Sequence, residues 1–419
     1  MAEMTRTQRG RLVSAAERRA LLGRRHRLAV QARAEDPLEV ARSLVALHGT
    51  DPASVYVACW ARTAGGPDPV AAVDRELYEE RTLLRMLAMR RTVFVTPLEN
   101  APVLQAGCTR AVAARERRTA LRIIADGVPC SPAEAEKLLA AGEEAALRLL
   151  AELGEAGTAE LVEAGPGVLD RRLVLSPGKK YESRQNLAAR VLPLLAADGR
   201  VVRARPRGSW TSHQHRWALT ERWLPGPIDE LTQEEGRARL AGAWLAAFGP
   251  GLPEDLQWWA GWTKTETHRA LAATGAVEVL VETGADGGPA VPGAALPADA
   301  ESGPAEEPEP WAALLPALDS TTMGWKRRDW YLGPHGPEVF DNVGNAGPTV
   351  WWRGRVVGGW AQDESGEIRV HYLEEPGSEA RAAVDAEAAL LADRLGGIRL
   401  TPRTRGRTSA ERQALLPAG

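Results

Sequence analysis

The order of secondary-structure patterns repeats along this chain, and that repeat limits the folds open to it. Residues 131–219 predict a helix that starts at Ser131, a short helix, a third helix that ends at Gly199, and then two extended segments. Residues 230–285 predict the same order a second time. Three helices followed by a hairpin are typical of a winged helix, the helix-turn-helix variant that binds DNA. We therefore expect tandem winged-helix units.

The remaining segments complete a predicted α+β fold of tandem winged-helix units followed by a small antiparallel β-barrel-like domain. At 419 residues the chain is too long for one compact core. Residues 286–310 are rich in Pro, Gly, Ala and acids and cannot bury a core, whereas short β-rich runs separated by turn residues follow them. The predicted division is 1–125, 126–225 and 226–285 for three winged-helix units, 286–310 for a flexible linker or long loop, 311–400 for the β-rich domain with a final helix, and 401–419 for a disordered tail.

The cysteine content and the apolar segments of the sequence indicate the cellular compartment of the protein. Cys59, Cys108 and Cys130 are too few and too scattered for a disulfide framework or a zinc site. The basic N-terminus lacks the apolar core of a signal peptide, and no run of 18 apolar residues occurs. We expect a monomeric cytoplasmic protein that does not enter a membrane.

The net charge of -3 conceals an asymmetry between the two halves of the chain. Residues 1–225 carry 35 Lys and Arg against 26 Asp and Glu, whereas the remainder carries 17 against 29. A positive half suggests a polyanion such as double-stranded DNA as partner. The alternative is a solvated basic face without any partner.

Polar residues interrupt an apolar stretch at LVALHGTDPASVYVACWAR, residues 44–62. His48 and Thr50 are either a reactive pair that faces a ligand or part of a helix start. The sequence Thr50-Asp51-Pro52 is an N-cap followed by a proline in the first turn, which explains Thr50 or Asp51 without any function. Capping does not explain His48, which therefore favours a functional site.

Basic residues elsewhere predict contacts with DNA. In a helix-turn-helix the last helix enters the major groove, and here it would present Lys264, Thr265, Thr267, His268 and Arg269. The alternatives are an ordinary solvated helix or a protein-interaction module. Clusters in the loops and wings would neutralise phosphates and add affinity without sequence specificity. These clusters are Lys179, Lys180 and Arg184 in SPGKKYESR, and Arg203, Arg205 and Arg207 in VVRARPRG.

Four motifs, in this order and spacing, resemble those of the AlkZ/YcaQ-like winged-helix DNA glycosylases. They are LVALHGTDP, RTLLRMLAMRRTVFVTP, LLPALDSTTMGWKRRDWYL and GNAGPTVWWRGRVVGGWAQ, and the resemblance covers nearly the whole chain. It implies a protein that removes bulky or cross-linking alkyl adducts from purines in DNA repair, and several members of the family protect antibiotic producers from their own genotoxins.

The resemblance also implies roles for individual residues. His48 and Thr50 fall on the two places of a motif in which the family has Gln and then Gln or Asp, so this chain departs from the motif at both. A neutral imidazole can accept a proton from water, and a hydroxyl can orient that water. Arg90 and Arg91 occupy the place of a frequent Arg-Gly pair, where Arg90 would face the DNA or the motif; the alternative is a charge satisfied at a strand edge.

Three functions follow as hypotheses. The first is a DNA glycosylase that uses no cofactor or metal, since the sequence contains no Walker loop, dinucleotide fingerprint or metal-ligand spacing. The second is a non-catalytic DNA-binding protein, such as a lesion sensor or a transcription regulator. The third, a protein-interaction scaffold, is disfavoured by the positive charge of residues 1–225.

Overall fold

The computed structural model describes residues 10–176, 178–401 and 406–416. Its α-helices are α1 (Ala15–Arg25), α2 (Pro37–Ser43), α3 (Pro52–Trp60), α4 (Pro69–Asp74), α5 (Ala101–Leu104), α6 (Arg110–Gly127), α7 (Pro132–Leu153), α8 (Thr158–Ala164), α9 (Ala188–Ala197), α10 (Thr220–Trp223), α11 (Gln233–Phe248), α12 (Pro253–Ala260), α13 (Lys264–Ala273), α14 (Pro297–Glu301), α15 (Asp329–Leu332), α16 (Gly336–Val339), α17 (Ser378–Leu395) and α18 (Ser409–Ala414). Two π-helical turns, Arg75–Glu79 and Gln105–Thr109, continue α4 and α5.

Short strands lie between these helices. They are β1 (Leu12–Val13), β2 (Leu47–His48), β3 (Leu83–Leu87), β4 (Val93–Pro97), β5 (Glu155–Gly157), β6 (Arg172–Leu175), β7 (Ser183–Asn186), β8 (Val201–Arg203), β9 (Arg216–Leu219), β10 (Val277–Glu282), β11 (Ala290–Ala295), β12 (Ala312–Leu315), β13 (Thr349–Trp352), β14 (Arg355–Gln362) and β15 (Ile368–Tyr372).

Side-chain caps explain where many of the helices begin. A Ser, Thr or Asp at the N-cap accepts a hydrogen bond from the backbone N–H three residues later, which satisfies an amide that the helix itself leaves free. A proline often follows in the first turn, where its missing N–H costs nothing. The helices capped in this way are α1, α2, α3, α4, α7, α11, α13 and α18.

The strands form five small sheets, and nearly all of their pairings are antiparallel. The strand orders are β2-β4-β3, β5-β9-β8, β6-β7, β1-β10-β11 and β12-β13-β14-β15. The exception is the parallel pairing of β1 with β10. The α+β class is thereby confirmed.

The β-rich C-terminal part is an open sheet, so the prediction of a barrel-like domain is wrong. Strands β12, β13, β14 and β15 pair only with their sequence neighbours, which leaves β12 and β15 as opposite edges among the described residues. Helix α17 packs against β12, β13 and β15. A helix therefore covers this sheet, and the burial that barrel closure would give is not needed.

Two segments predicted to lack regular structure contain some. Strand β11 and helix α14 lie within 286–310, and β11 pairs along its whole length with β10, so this part is not a flexible linker. Helix α18 lies within the predicted tail and packs on β14, with Ala410 buried. Disorder is therefore wrong for residues 406–416, while 402–405 and 417–419 lie outside the described residues.

The structure contains the order of helices and strands that the sequence predicts for tandem winged helices. Residues 132–219 run α7, β5, α8, the β6–β7 hairpin, α9, β8 and β9, and residues 233–295 run α11, α12, α13, β10 and β11. The assignment of these elements to winged helices, and the division into three such units, stay predictions.

Two large apolar clusters hold the described chain together. One cluster joins the helices and strands of residues 15–108 to α11, α12 and the C-terminal sheet, and the other lies within residues 120–219. None of the described helices has both the length and the apolar character needed to cross a membrane. The second cluster gives 120–219 a core of its own, beside the sheet that carries His48.

Candidate functional site

His48 lies at the end of β2, an edge strand that pairs with the central strand β4. Its pairing partner is Phe94, and the two rings meet edge to face with their centroids 5.4 Å apart. The residue is only 8% exposed. The imidazole is thus held against an apolar ring rather than extended into water.

The surroundings of His48 keep its imidazole neutral. Burial, followed by the positive charge of Arg90, lowers the pKa of His48 to about 3. Its Nδ1 atom is buried and has no hydrogen-bond partner in the part of the chain that the structure describes. A neutral imidazole with an unused ring nitrogen can bind a water molecule or a ligand atom. With so low a pKa, however, it is a weak proton acceptor at neutral pH.

Thr50 is exposed and does not cap the helix that follows it. The N-cap of α3 is Asp51, whose Oδ2 accepts hydrogen bonds from the backbone N–H and the hydroxyl of Ser54 at 2.9 and 2.7 Å. Within residues 10–176, 178–401 and 406–416, no hydrogen bond engages the Thr50 hydroxyl. Capping therefore accounts for Asp51 and leaves the Thr50 side chain available to a ligand.

The second oxygen of the Asp51 carboxylate faces another element. Asp51 Oδ1 lies 3.7 Å from Nε2 of His213, a residue in the connection between β8 and β9. The side chain of Asp51 is 29% exposed and that of His213 is 63% exposed. The connection between β8 and β9 thus lies beside the start of α3.

Arg90 and Arg91 form the tight turn between β3 and β4, and both have left-handed backbone conformations, with φ of 52° and 64°. The Arg90 guanidinium stacks over Trp258 of α12, 3.9 Å from the ring centroid. Arg91 is exposed and forms an ion pair with Glu116 at 2.9 Å. The two predicted DNA contacts therefore differ, because Arg90 is held beside His48 whereas Arg91 is paired at the surface.

A model of the family described as DNA glycosylase AlkZ-like matches residues 41–394 of this chain. The chain belongs to the AlkZ-like DNA glycosylase family. A search among curated protein sequences found no match.

The fold agrees with that family. The solved structure of the Streptomyces sahachiroi DNA glycosylase AlkZ superposes with a TM-score of 0.68 and 21% sequence identity, over 93% of this chain and 99% of that chain. At this identity the likeness shows a shared fold, and the fold extends over almost the full length of both proteins.

The other basic residues predicted to bind DNA in this AlkZ-like chain lie in different environments. Lys179, Lys180 and Arg184 are exposed on the β6–β7 hairpin. Lys264 and Arg269 are exposed on α13, whereas Thr267 of the same helix is buried and donates its hydroxyl hydrogen to the Thr263 carbonyl oxygen. The hairpin and α13 thus present free basic side chains.

The three arginines of VVRARPRG are less accessible than the sequence predicts. Arg205 pairs with Asp74 at 2.6 Å and with Glu79 at 3.1 Å, and Arg207 pairs with Glu160. Arg203 is partly buried, with its guanidinium 4.9 Å from the ring centroid of Trp217.

Sequence reasoning missed three residues around this site. The sequence predicts Asp51 only as a cap, although its side chain also faces His213. Arg85 of β3 donates a hydrogen bond from Nη1 to the carbonyl oxygen of Gly49, between His48 and Thr50, at 2.6 Å. His215, just before β9, is partly buried. An arginine within the apolar run LLRML was the one sequence signal for Arg85, because a buried charge normally has a function or a counter-charge.

Proposed function

We propose that this protein hydrolyses the N-glycosidic bond of an alkylated purine in double-stranded DNA. The observation that carries the proposal is a buried, neutral His48 with a free ring nitrogen and, two residues later, an exposed Thr50 hydroxyl, at the position that resembles the family's motif. Membership of the AlkZ-like family supports the reaction class. Bulky adducts, and a role in DNA repair or in resistance to a genotoxin, are part of the same proposal.

Hydrolysis of this bond does not require a strong base. A purine alkylated at N7 or N3 is already cationic, so the electron pair of the C1′–N bond neutralises it as that bond breaks. Water adds its oxygen to C1′ and loses a proton. Because the pKa of His48 is about 3, His48 serves as a hydrogen-bond acceptor that orients the water with Thr50, rather than as the final proton acceptor.

The reaction also needs a negative charge near the sugar and a group that accepts the proton, and we assign both roles to the Asp51 carboxylate. Positive charge develops on the sugar as the bond breaks, and a carboxylate at the site stabilises that charge. Its Oδ1 is not used in the helix cap and can accept the proton that the water releases. We therefore add Asp51 to His48 and Thr50 as a catalytic residue.

Single-turnover release of bases from duplexes treated with a panel of alkylating agents tests this proposal. We expect His48→Ala to slow release about 100-fold to 1,000-fold, the usual cost of removing one hydrogen-bonding group that acts in the transition state. Asp51→Asn should slow release without lowering Tm, since Asn is as good an N-cap as Asp. Thr50→Val should also slow release at unchanged Tm, because Thr50 does not cap α3.

A matched control is His371→Ala, which removes a histidine from β15 in the C-terminal sheet. It should release bases at the wild-type rate. DNA affinity is measured beside the rate for each variant, so that a loss of binding is not mistaken for a loss of chemistry.

The second candidate function is a non-catalytic DNA-binding protein, such as a lesion sensor or a transcription regulator. The observation that favours it is the departure of His48 and Thr50 from the amide and acid of the family's motif, together with the low pKa of His48. If the wild-type protein binds duplex DNA but releases no base from any adduct, this candidate replaces the first.

A further inference from the structure

We infer that the side chains of Arg85, Arg203 and His215 together bind one phosphate of the DNA backbone, beside the strand that carries His48. This inference rests on the proposed binding of DNA, and it specifies which side chains hold the substrate at the candidate catalytic residues. It requires binding, not base release.

Arg85 is a buried cation whose hydrogen-bonding groups are mostly unused. It lies at the middle of β3 and is 4% exposed. Nη1 donates to the Gly49 carbonyl oxygen, but Nε and Nη2 are buried and have no acceptor among the described residues. A buried guanidinium with unsatisfied donors is costly unless an anion completes it.

Arg203, at the end of β8, and His215, just before β9, lie beside the same part of β3. Strand β8, which ends at Arg203, contacts β3. Arg203 Nη1 and His215 Nδ1 are also buried and lack a hydrogen-bond partner in the part of the chain described. The positive charge of Arg85 acts on both residues, which lowers the pKa of Arg203 to about 10 and that of His215 to about 3, in each case after the larger effect of burial.

The nearby acids are already engaged. Asp74 accepts a hydrogen bond from the Tyr56 hydroxyl at 2.5 Å and pairs with Arg205. Asp51 caps α3 and faces His213. Within residues 10–176, 178–401 and 406–416, no ion pair within 4.0 Å joins Arg85 or Arg203 to a carboxylate. Two guanidiniums without a counter-charge, beside a neutral imidazole that can donate one N–H, therefore match an anion from outside.

Phosphate suits this set of donors better than a single carboxylate does. A guanidinium presents parallel N–H groups that bind two phosphate oxygens, and two guanidiniums can share one tetrahedral anion. The link from Arg85 through the Gly49 carbonyl places this phosphate next to His48 and Thr50. We assign it to the DNA backbone near the nucleotide that is processed.

The test uses Arg85→Met and Arg203→Met, which keep the aliphatic volume and remove the charge. Neither cation has a protein counter-charge, so both variants should fold. Arg85→Met should show at most a small fall in Tm, from the lost hydrogen bond to the Gly49 carbonyl oxygen. Each should bind duplex DNA about 10-fold to 100-fold more weakly, the effect of losing a charge-assisted hydrogen bond. Because the two arginines hold one phosphate, the double variant should lose little more than either single variant.

A matched control is Arg381→Met, which removes an exposed arginine from α17 that already pairs with Glu375. It should leave DNA affinity unchanged. Unchanged DNA affinity in Arg85→Met and Arg203→Met would contradict the proposed phosphate site. A marked fall in the Tm of these variants would show that the arginines have a structural role, and it would contradict the site as well.

Duplexes that carry one neutral methylphosphonate at successive positions around an alkylated base locate the phosphate. We expect one position to weaken binding by the wild-type protein and to have no further effect on the two Met variants. This result would hold even if no base were released, in which case the proposed glycosylase activity fails and the phosphate site stands.

Inorganic phosphate and a mononucleotide distinguish the source of the anion. A rise in wild-type Tm with either compound, combined with no sensitive position in the methylphosphonate series, would identify a free phosphate or nucleotide as ligand and would overturn the assignment to DNA.

Discussion

At the scale of single residues, burial determines what the histidines can do. His48 packs against Phe94, and His26 is enclosed between Phe248 and Trp325 with hydrogen bonds to Thr321 and the Ala247 carbonyl. The pKa of each falls to about 3, chiefly through burial. The same effect that makes His48 a poor base keeps it available as a neutral acceptor.

These low pKa values predict how stability depends on pH. The unfolded chain binds a proton at each histidine below pH 6.5 or so, whereas the folded chain does not until about pH 3, so stability is lost as pH falls through this range. The slope is about 1.4 kcal/mol per pH unit for each fully neutral histidine. Denaturant unfolding between pH 7 and pH 4.5 measures it.

Variants separate the two histidines from the carboxylates that also titrate. His48→Asn and His26→Asn should each reduce the slope between pH 6 and pH 5. Equal slopes in His48→Asn and the wild type would contradict a neutral His48.

At the scale of elements, a buried ion pair fixes α3 against the segment after β12. Arg62, just beyond the end of α3, and Asp319 are joined by two hydrogen bonds of 2.6 and 3.0 Å, and both side chains are fully buried. The Arg62 guanidinium also donates to the carbonyl oxygens of His26 and Ala58 and to the Thr321 hydroxyl. Since α3 begins at Asp51, this network holds the candidate site in place from the far end of its helix.

Breaking this pair from one side should be far more harmful than removing it. Asp319→Leu leaves an uncompensated buried cation and should cost about 3 to 5 kcal/mol of stability. Adding Arg62→Met should recover most of that loss, because no buried charge then remains. The free energy of unfolding of the two single variants and the double variant gives the coupling; additive losses would contradict a direct pair.

At the scale of the whole molecule, the positive half of the sequence is only partly free to bind a polyanion. Arg205 and Arg207 are neutralised by carboxylates, whereas Lys179, Lys180 and Arg184 stand exposed on the β6–β7 hairpin. A net excess of basic residues therefore does not measure the number of phosphates that the protein can contact. That number depends on the basic side chains that are exposed and have no acidic partner.

The salt dependence of DNA binding should follow the free residues. Each phosphate contact contributes about 0.9 to the slope of log affinity against log salt. Neutralising Lys179, Lys180 and Arg184 together should lower the slope by up to three such contributions. Neutralising the paired Arg205 and Arg207 should change it much less, and an equal change in both variants would contradict this account.

Local patterns along the chain are enough to predict the order of the elements and the family. Local signals that act within a few residues, such as the caps at Ser131 and Asp51 and the glycine at position 199, predicted where helices start and end. Motif order and spacing are likewise properties of the chain, and they indicated the AlkZ-like family that the family model then confirmed.

Whether the C-terminal sheet closes, and which basic side chains are accessible, depends on contacts between distant parts of the chain. A sheet and a barrel have the same strands in sequence, and the covering of the C-terminal sheet by α17 depends on long-range packing. The pairing of Arg205 with Asp74, the stacking of Arg90 on Trp258 and the approach of Arg203 to Arg85 join residues far apart in the chain. Charge neutralisation and desolvation depend on such distances in space, so no local pattern in the sequence could reveal them.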